Sequence, residues 1–273
     1  MGYLQNFKFE LDGPEQAPVL VFLHGVMGSG ANWRRITPTF REKYRVLTFD
    51  QRGHGWSFKP EKGYGPENYA EDLKLIIDEL GFDKIHLVGH SMGGRNALHF
   101  AHQYPERLNT LVIEDIGPEG NPKAMERTAH LLDLVPTPFP SKAAAKEFFD
   151  KEFPEKISSH PQRKILGSYF FTNIEEKADG TADWRFNKQG ILLSLKAGHF
   201  RPRWEQVRDL KCPTLFIRGQ NSDDLTAEEL AKVRQVNPQI ETVEIADAGH
   251  WIHFDQPNEF IRVLSEFLSR HSI

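Results

Sequence analysis

The stretch "KIHLVGHSMGGRNALHF", residues 84–100, runs from an apolar segment straight into a helical pattern, with Gly89, Gly93 and Gly94 crowded at the junction. Glycines there let the backbone turn sharply and let strand and helix approach closely. Strand, tight turn and helix in that order open a βαβ unit, whose strands are parallel.

The same alternation recurs along the chain. Short apolar runs bounded by Gly or Pro read as strands at 18–25, 45–53, 84–90, 108–116, 213–219 and 241–250. Runs of this kind suit strands buried on both faces. Residues 66–80 put Ala70, Leu73, Ile76, Ile77 and Leu80 on one stripe, with Pro66 at the helix start and Gly81 past its end. Further helices are expected at 92–104, stopped by Pro105, and at 256–270. "FKFELDG" alternates polar and apolar residues, which predicts an antiparallel edge strand. The fold class is therefore α/β, a mostly parallel sheet flanked by helices.

Between Gly117 and Asp209 the alternation breaks. Proline punctuation ("VPTPFPS"), helical segments ("SKAAAKEFFDKEF") and a turn at Asp179–Gly180 share that stretch with aromatics including Phe148, Phe149, Tyr169, Phe170 and Trp184. A structureless loop of that length is improbable in a compact domain. The reading is a core of residues 1–116 and 210–273 with a mostly helical lid at 117–209, some of whose aromatics face an apolar pocket. The chain's 273 residues, 39% hydrophobic, are enough for such a core.

Charge and cysteine content narrow the function classes. A net charge of -4, with Lys and Arg spread along the chain, gives no footprint for nucleic acid or an anionic membrane. No apolar run is long enough to span a bilayer, and the start lacks the layout of a secretory signal. Cys212 is the single cysteine, which excludes an internal disulfide and fits a cytoplasmic setting. Beside Pro213 it reads as a packing residue.

Gly89-His90-Ser91-Met92-Gly93 satisfies G-x-S-x-G in the strand-to-helix context that gives the motif its meaning. Ser91 would stand at a helix N-terminus, whose dipole and free amides favour developing negative charge. A serine hydroxyl needs a base to become a nucleophile. The order Ser, acid, His directs attention to His250 in "EIADAGHWIHFDQP", after the last strand. His253, three residues on, reads as packing or rim. Two aspartates compete to orient the histidine: Asp115, ending "LVIEDIGP", and Asp223, in "RGQNSDD". Glu114 adjoins Asp115 and Asp224 adjoins Asp223, and because neighbours in extended chain point opposite ways, each pair offers one inward carboxylate. The amides of Val26, in "LHGVMGSG", and of Met92 are placed to hold an oxyanion. His99 and His102 share a helix face, but two ligands do not make a metal site. Neither a metal nor a cofactor is expected.

With these pieces assembled, the chain resembles the α/β-hydrolase superfamily along nearly its whole length. "LHGVMGS" resembles the oxyanion loop, "DQRGHGWS" the loop after the following strand, "GHSMGG" the nucleophile elbow and "AGHWIHFDQPNEF" the histidine loop. "HG-x-x-GS", "DIGP", "WRFN" and "GHWIH" are similar to the small bacterial esterases and thioesterases and to related mitochondrial lid-bearing hydrolases. Some members of that branch take the acid from the strand after the elbow helix, the position of Asp115. The commoner G-x-x-D pattern would put the acid at 222, where this chain has Ser222, so the resemblance favours Asp115 over Asp223. It implies a cofactor-free serine hydrolase acting on a small to medium acyl ester or thioester, with His54 and Trp56 near the pocket rim. A carbon–carbon hydrolase or lactonase on the same triad, and a ligand-sensing receptor with residual hydrolysis, are the alternatives.

Overall fold

The computed structural model describes residues 2–158 and 163–271. Residues 159–162 of the expected lid, together with Met1 and residues 272–273 of the expected core, lie outside the described residues. In chain order the strands are β1 (Phe9–Asp12), β2 (Val19–Leu23), β3 (Arg45–Phe49), β4 (Ile85–His90), β5 (Leu108–Glu114), β6 (Ile174–Glu176), β7 (Ala182–Trp184), β8 (Thr214–Gly219) and β9 (Glu241–Ile245). The main sheet runs β1-β3-β2-β4-β5-β8-β9. Only its edge strand β1 is antiparallel, and the rest pair in parallel. Strands β2, β4 and β8 are buried along their whole length, as continuous apolar runs require when helices cover both faces.

Strands β2 and β5 stop two residues before the end of their expected ranges, and β3 and β9 stop four and five residues before it. β3 ends at Phe49, because the chain then turns through Gly53 and Gly55, both at positive φ. β9 ends at Ile245, and Asp247 at φ 55° breaks the extended run. The helices follow their caps closely. One spans Pro66–Glu79, another Met92–Gln103, and the last Pro257–Arg270 has proline in its first turn.

Each sheet face carries its own apolar layer. Leu73, Ile76, Leu98 and Phe100 pack against Val21, Leu87 and Ile113 on one side. Trp33, Phe260, Leu264 and Phe267 pack against Phe22, Val88 and Ile217 on the other. Residues between β5 and β8 build a third, separate cluster around Phe149, Phe153, Phe170 and Trp184. Helices dominate this region, but β6 and β7 form a small antiparallel hairpin closed at Gly180, φ 84°. Phe139 adds a bridge to Ala182 beside it.

The helix Met92–Gln103 approaches the ends of β2 and β4 so closely that side chains do not fit between them. A Cβ on Gly93 would lie 2.4 Å from the Leu23 carbonyl oxygen and 2.7 Å from that of His24. A Cβ on Gly89 would lie 2.4 Å from the Gly93 oxygen. These neighbours are backbone and cannot swing aside. Gly93→Ala should therefore destabilise the protein by about 1–3 kcal/mol, the usual range for overpacking, read as a lowered midpoint in urea. An unchanged midpoint would mean that the helix can move away from β2 at no cost.

Candidate active site

Strand β4 ends at His90, and Ser91 turns the chain into the helix with φ 53° and ψ −118°. A non-glycine residue held there is strained, and such strain persists only where surrounding structure enforces it. The Ser91 amide donates to the Glu114 carbonyl at 2.9 Å, which fixes the turn against β5. The hydroxyl is left facing His250, whose Nε2 lies 2.9 Å from Ser91 Oγ. On the far side of the ring, His250 Nδ1 lies 2.9 Å from Asp115 Oδ2. That geometry suits an imidazole that donates from Nδ1 and accepts the serine proton at Nε2.

Asp115 follows the last residue of β5 and also has a left-handed backbone, φ 49°. It is fully buried, and burial pushes its carboxyl up against the pull of three donors. These are His250, the Gly219 amide at 2.9 Å and the Ser222 hydroxyl. A buried carboxylate needs such donors to stay charged.

The other candidate acid is corrected by one position. Asp223 is exposed, whereas Asp224 Oδ2 lies 3.4 Å from His250 Nδ1. The Asp224 amide donates to Ser222 Oγ at 3.1 Å, and this turn aims the second aspartate rather than the first at the ring. Alternation in extended chain had suggested that one carboxylate of the pair faces inward, and the turn decides which. Burial works against protonating His250, but Asp224, Asp115 and Glu114 outweigh it and push the imidazole up to about 9.

Behind the ring lies a second buried set. His90 Nε2 donates to the His250 carbonyl at 2.8 Å. His253 donates to Glu114 from both its amide, at 2.9 Å, and its Nδ1, at 2.8 Å. His90, Glu114 and His253 bring possible metal-ligand atoms within 4.8 Å of one another. The hydrogen bonds already account for their arrangement as a brace for the His250 loop. His253 is thus a packing residue without access to Ser91.

The amides of Val26 and Met92 donate to no loop carbonyl among the described residues. Met92 opens the helix, where the first amides have no intrahelical acceptor. The Val26 loop is held by close packing, since a Cβ on Gly25 would meet the His90 ring at 2.7 Å. From the lid, the Tyr169 hydroxyl donates to the Val26 carbonyl at 3.1 Å. Gln51, in the loop after β3, ties this region together. Its amide donates to His24 Nε2, its side chain donates to the His24 carbonyl, and it accepts from Asn96.

His54 and Trp56 do not line the cavity. His54 is fully buried and has Nδ1 2.9 Å from the Arg52 carbonyl. Burial pulls its imidazole down to about 3. It braces its loop against His24, with ring centroids 4.9 Å apart. Trp56 is 63% exposed and sits under the Arg185 guanidinium, at a different recess.

Between core and lid lies a cavity of about 910 Å³ that reaches Ser91 and His250. Its apolar wall includes Met27, Leu131, Leu166, Phe170 and Leu195. Of the lid aromatics, Tyr169 and Phe170 border it; Phe148, Phe149, Phe153 and Trp184 hold the lid cluster together. Phe200 faces outward, 79% exposed. Ser222, Asp224 and Arg95 line the cavity, and the sequence reading did not assign them to the site. For Arg95 the signal was a charge four residues beyond Ser91 on a helix otherwise poor in charge.

Among the described residues, no helix is long and apolar enough to cross a membrane. The family model of the alpha/beta hydrolase fold matches residues 18–257. The sn-1-specific diacylglycerol lipase ABHD11 of Mus musculus is 32% identical over 265 residues, 95% of this chain and 83% of that protein. Among solved structures, a marine microorganism esterase superposes with TM-score 0.81 at 29% identity, covering 96% of this chain and 98% of that one. E-2-(acetamidomethylene)succinate hydrolase shares the fold with TM-score 0.83 at 23% identity, covering 96% and 95%. With its sheet order, its elbow at Ser91 and these matches, the chain belongs to the α/β-hydrolase-fold family.

Proposed function

We propose that this protein is a serine hydrolase that cleaves carboxylic esters or thioesters through an acyl-enzyme intermediate. The observation that carries the reading is the chain of contacts Ser91–His250–Asp115, both links 2.9 Å, opening onto a cavity lined by apolar side chains and by charged ones such as Arg95 and Arg127. Esterase and lipase relatives support the substrate class.

In this reaction Ser91 Oγ attacks the substrate carbonyl carbon while His250 Nε2 takes the hydroxyl proton. The carbonyl oxygen becomes an oxyanion held by the Val26 and Met92 amides. Each such donor is worth about 10²–10³ in turnover. Collapse of the tetrahedral intermediate expels the alkoxide or thiolate, to which His250 returns the proton. A water then attacks the acyl-enzyme, gives its proton to His250, and frees the carboxylic acid and Ser91. Asp115 keeps the ring oriented and stabilises the transient imidazolium.

Ser91→Ala should lower turnover of p-nitrophenyl esters by about 10⁴-fold or more, with an unchanged circular-dichroism spectrum. A fluorophosphonate probe should label wild type and not the variant. Turnover by folded Ser91→Ala near the wild-type rate would remove Ser91 as nucleophile. Labelling of Ser91 without turnover of any ester would redirect the search to carbon–carbon cleavage.

Only neutral His250 accepts the serine proton, so activity should fall as pH drops through its pKa. With the imidazole raised to about 9, kcat/KM of the wild type should still be climbing above neutrality. Asp224→Asn removes a negative charge 3.4 Å from the ring, lowers the imidazole pKa and should shift this limb to lower pH. Asp115→Asn should instead cost about 10²–10⁴ in kcat at every pH, because the ring loses its buried orienting acceptor. Similar pH profiles and similar small losses for the two variants would mean that neither carboxylate alone directs His250.

A further inference from the structure

Arg95 stands one helical turn, about 5.4 Å along the axis, beyond Ser91, and its amide donates to the Ser91 carbonyl at 3.1 Å. Its side chain borders the cavity and is only 6% exposed. Among the described residues, no carboxylate lies within ion-pair distance of its guanidinium, and its Nε has no hydrogen-bond partner. Buried arginines of this kind are costly unless something neutralises them.

The one polar contact does not satisfy it. Arg95 Nη2 lies 2.9 Å from His199 Nε2, while the Asn121 amide donates to His199 Nδ1 at 3.0 Å. A neutral imidazole has a single acceptor nitrogen. It can accept from the Asn121 amide or from the Arg95 guanidinium but not from both, so one of the two donors is left without an acceptor. Protonation of His199 offers no relief, because burial and the nearby Arg95 and Arg203 pull its imidazole down to about 3. Gly198 gives the guanidinium room, since a Cβ there would lie 1.9 Å from Arg95 Nη1.

The cavity's own carboxylates are engaged or placed elsewhere. Asp224, whose negative charge acts on Arg95 without pairing with it, faces His250 and, at 3.9 Å, Arg127. Asp255 accepts the Gly249 amide at 2.8 Å. Asp223 and Asp247 are exposed.

We propose that Arg95 is an anion-recognition group of the cavity, and that the preferred acyl chain carries its own carboxylate a few carbons from the scissile carbonyl. The substrate class is thus the half-ester or half-thioester of a short dicarboxylic acid, a refinement that rests on the serine-hydrolase reading. A guanidinium presents paired N–H groups that match a carboxylate in two parallel hydrogen bonds. The apolar wall of Met27, Phe170 and Leu195 leaves room for the intervening methylenes.

The test compares the p-nitrophenyl half-ester of glutaric acid with p-nitrophenyl valerate, an uncharged ester of equal chain length. Wild type should favour the half-ester in kcat/KM. Arg95→Gln should reduce the half-ester by about 10- to 100-fold more than the valerate, the usual loss for a charge-assisted hydrogen bond, chiefly through KM. Arg95→Lys should recover part of that difference. Equal losses on both esters, or a wild-type preference for valerate, would overturn the proposal.

Calorimetric titration of glutarate, with glutaramide as the neutral control, into wild type and Ser91→Ala keeps the test independent of turnover and of how the Arg95 variants fold. Glutarate binding with glutaramide silent supports the anion site even where no ester is cleaved, an outcome that would remove only the hydrolase reading. Turnover of esters with no glutarate binding would leave that reading standing and remove the anion site.

Discussion

The helix Met92–Gln103 can lie against the carboxyl ends of β2 and β4 only because Gly89 and Gly93 put no Cβ into the contact. That close approach holds Ser91 in its strained turn. Sheet register then supplies the partners. His90 is level with Glu114 across β4 and β5, so the residues that follow, Ser91 and Asp115, leave the sheet side by side. Glu114 is level with Ile217, which brings Gly219 and its amide to the Asp115 carboxylate. Gly219 is in turn level with Ile245, from which the chain curves back to His250. The site is a consequence of parallel strands ending together, where open α/β sheets bind their ligands.

This explains which parts were legible in the sequence. The turn at Ser91 is encoded by five consecutive residues, and the buried strands by short apolar runs, so both could be read locally. His250 was accessible through chain order alone. The orientation of a loop carboxylate was not. Asp223 and Asp224 differ in what they face because of one hydrogen bond, from the Asp224 amide to Ser222 Oγ, inside a turn that no periodicity predicts. His54 and Trp56 were misplaced for a related reason. The loop after β3 carries polar and aromatic residues that look like a rim, yet it turns inward through Gln51 and His54 to brace the oxyanion loop. Arg95 lay in plain view, but no local pattern shows that no carboxylate among the described residues pairs with it.

The lid and the core are stabilised by different clusters, with consequences for specificity. Most lid aromatics pack on one another, and Tyr169 and Phe170 alone among those named from the sequence reach the cavity. Tyr169 also bonds the carbonyl of Val26. It thereby ties the lid to the loop whose amide is the proposed oxyanion donor. Substitutions within the Phe149–Phe153–Trp184 cluster act through lid stability. Substitutions at Tyr169 act on the reacting end of the cavity as well.

Charge in the cavity is segregated, and the segregation has a chemical logic. Two carboxylates flank His250 on the side away from Ser91, where in the proposed reaction they would favour the imidazolium that forms during attack. The same charges would repel a developing oxyanion if they faced it, and the proposed oxyanion donors, the Val26 and Met92 amides, are neutral. Asp224 strengthens this arrangement at a cost, since a ring that holds its proton at rest is a poorer base near neutral pH. Arg95 occupies the helix face beyond the nucleophile and pairs with neither carboxylate on His250, although the charge of Asp224 acts on it. In the proposed substrate, the acid of the acyl chain would meet this positive group. In the proposed reaction, anion recognition and proton transfer thus rest on separate residues, Arg95 on the helix and His250 with its carboxylates on the loops.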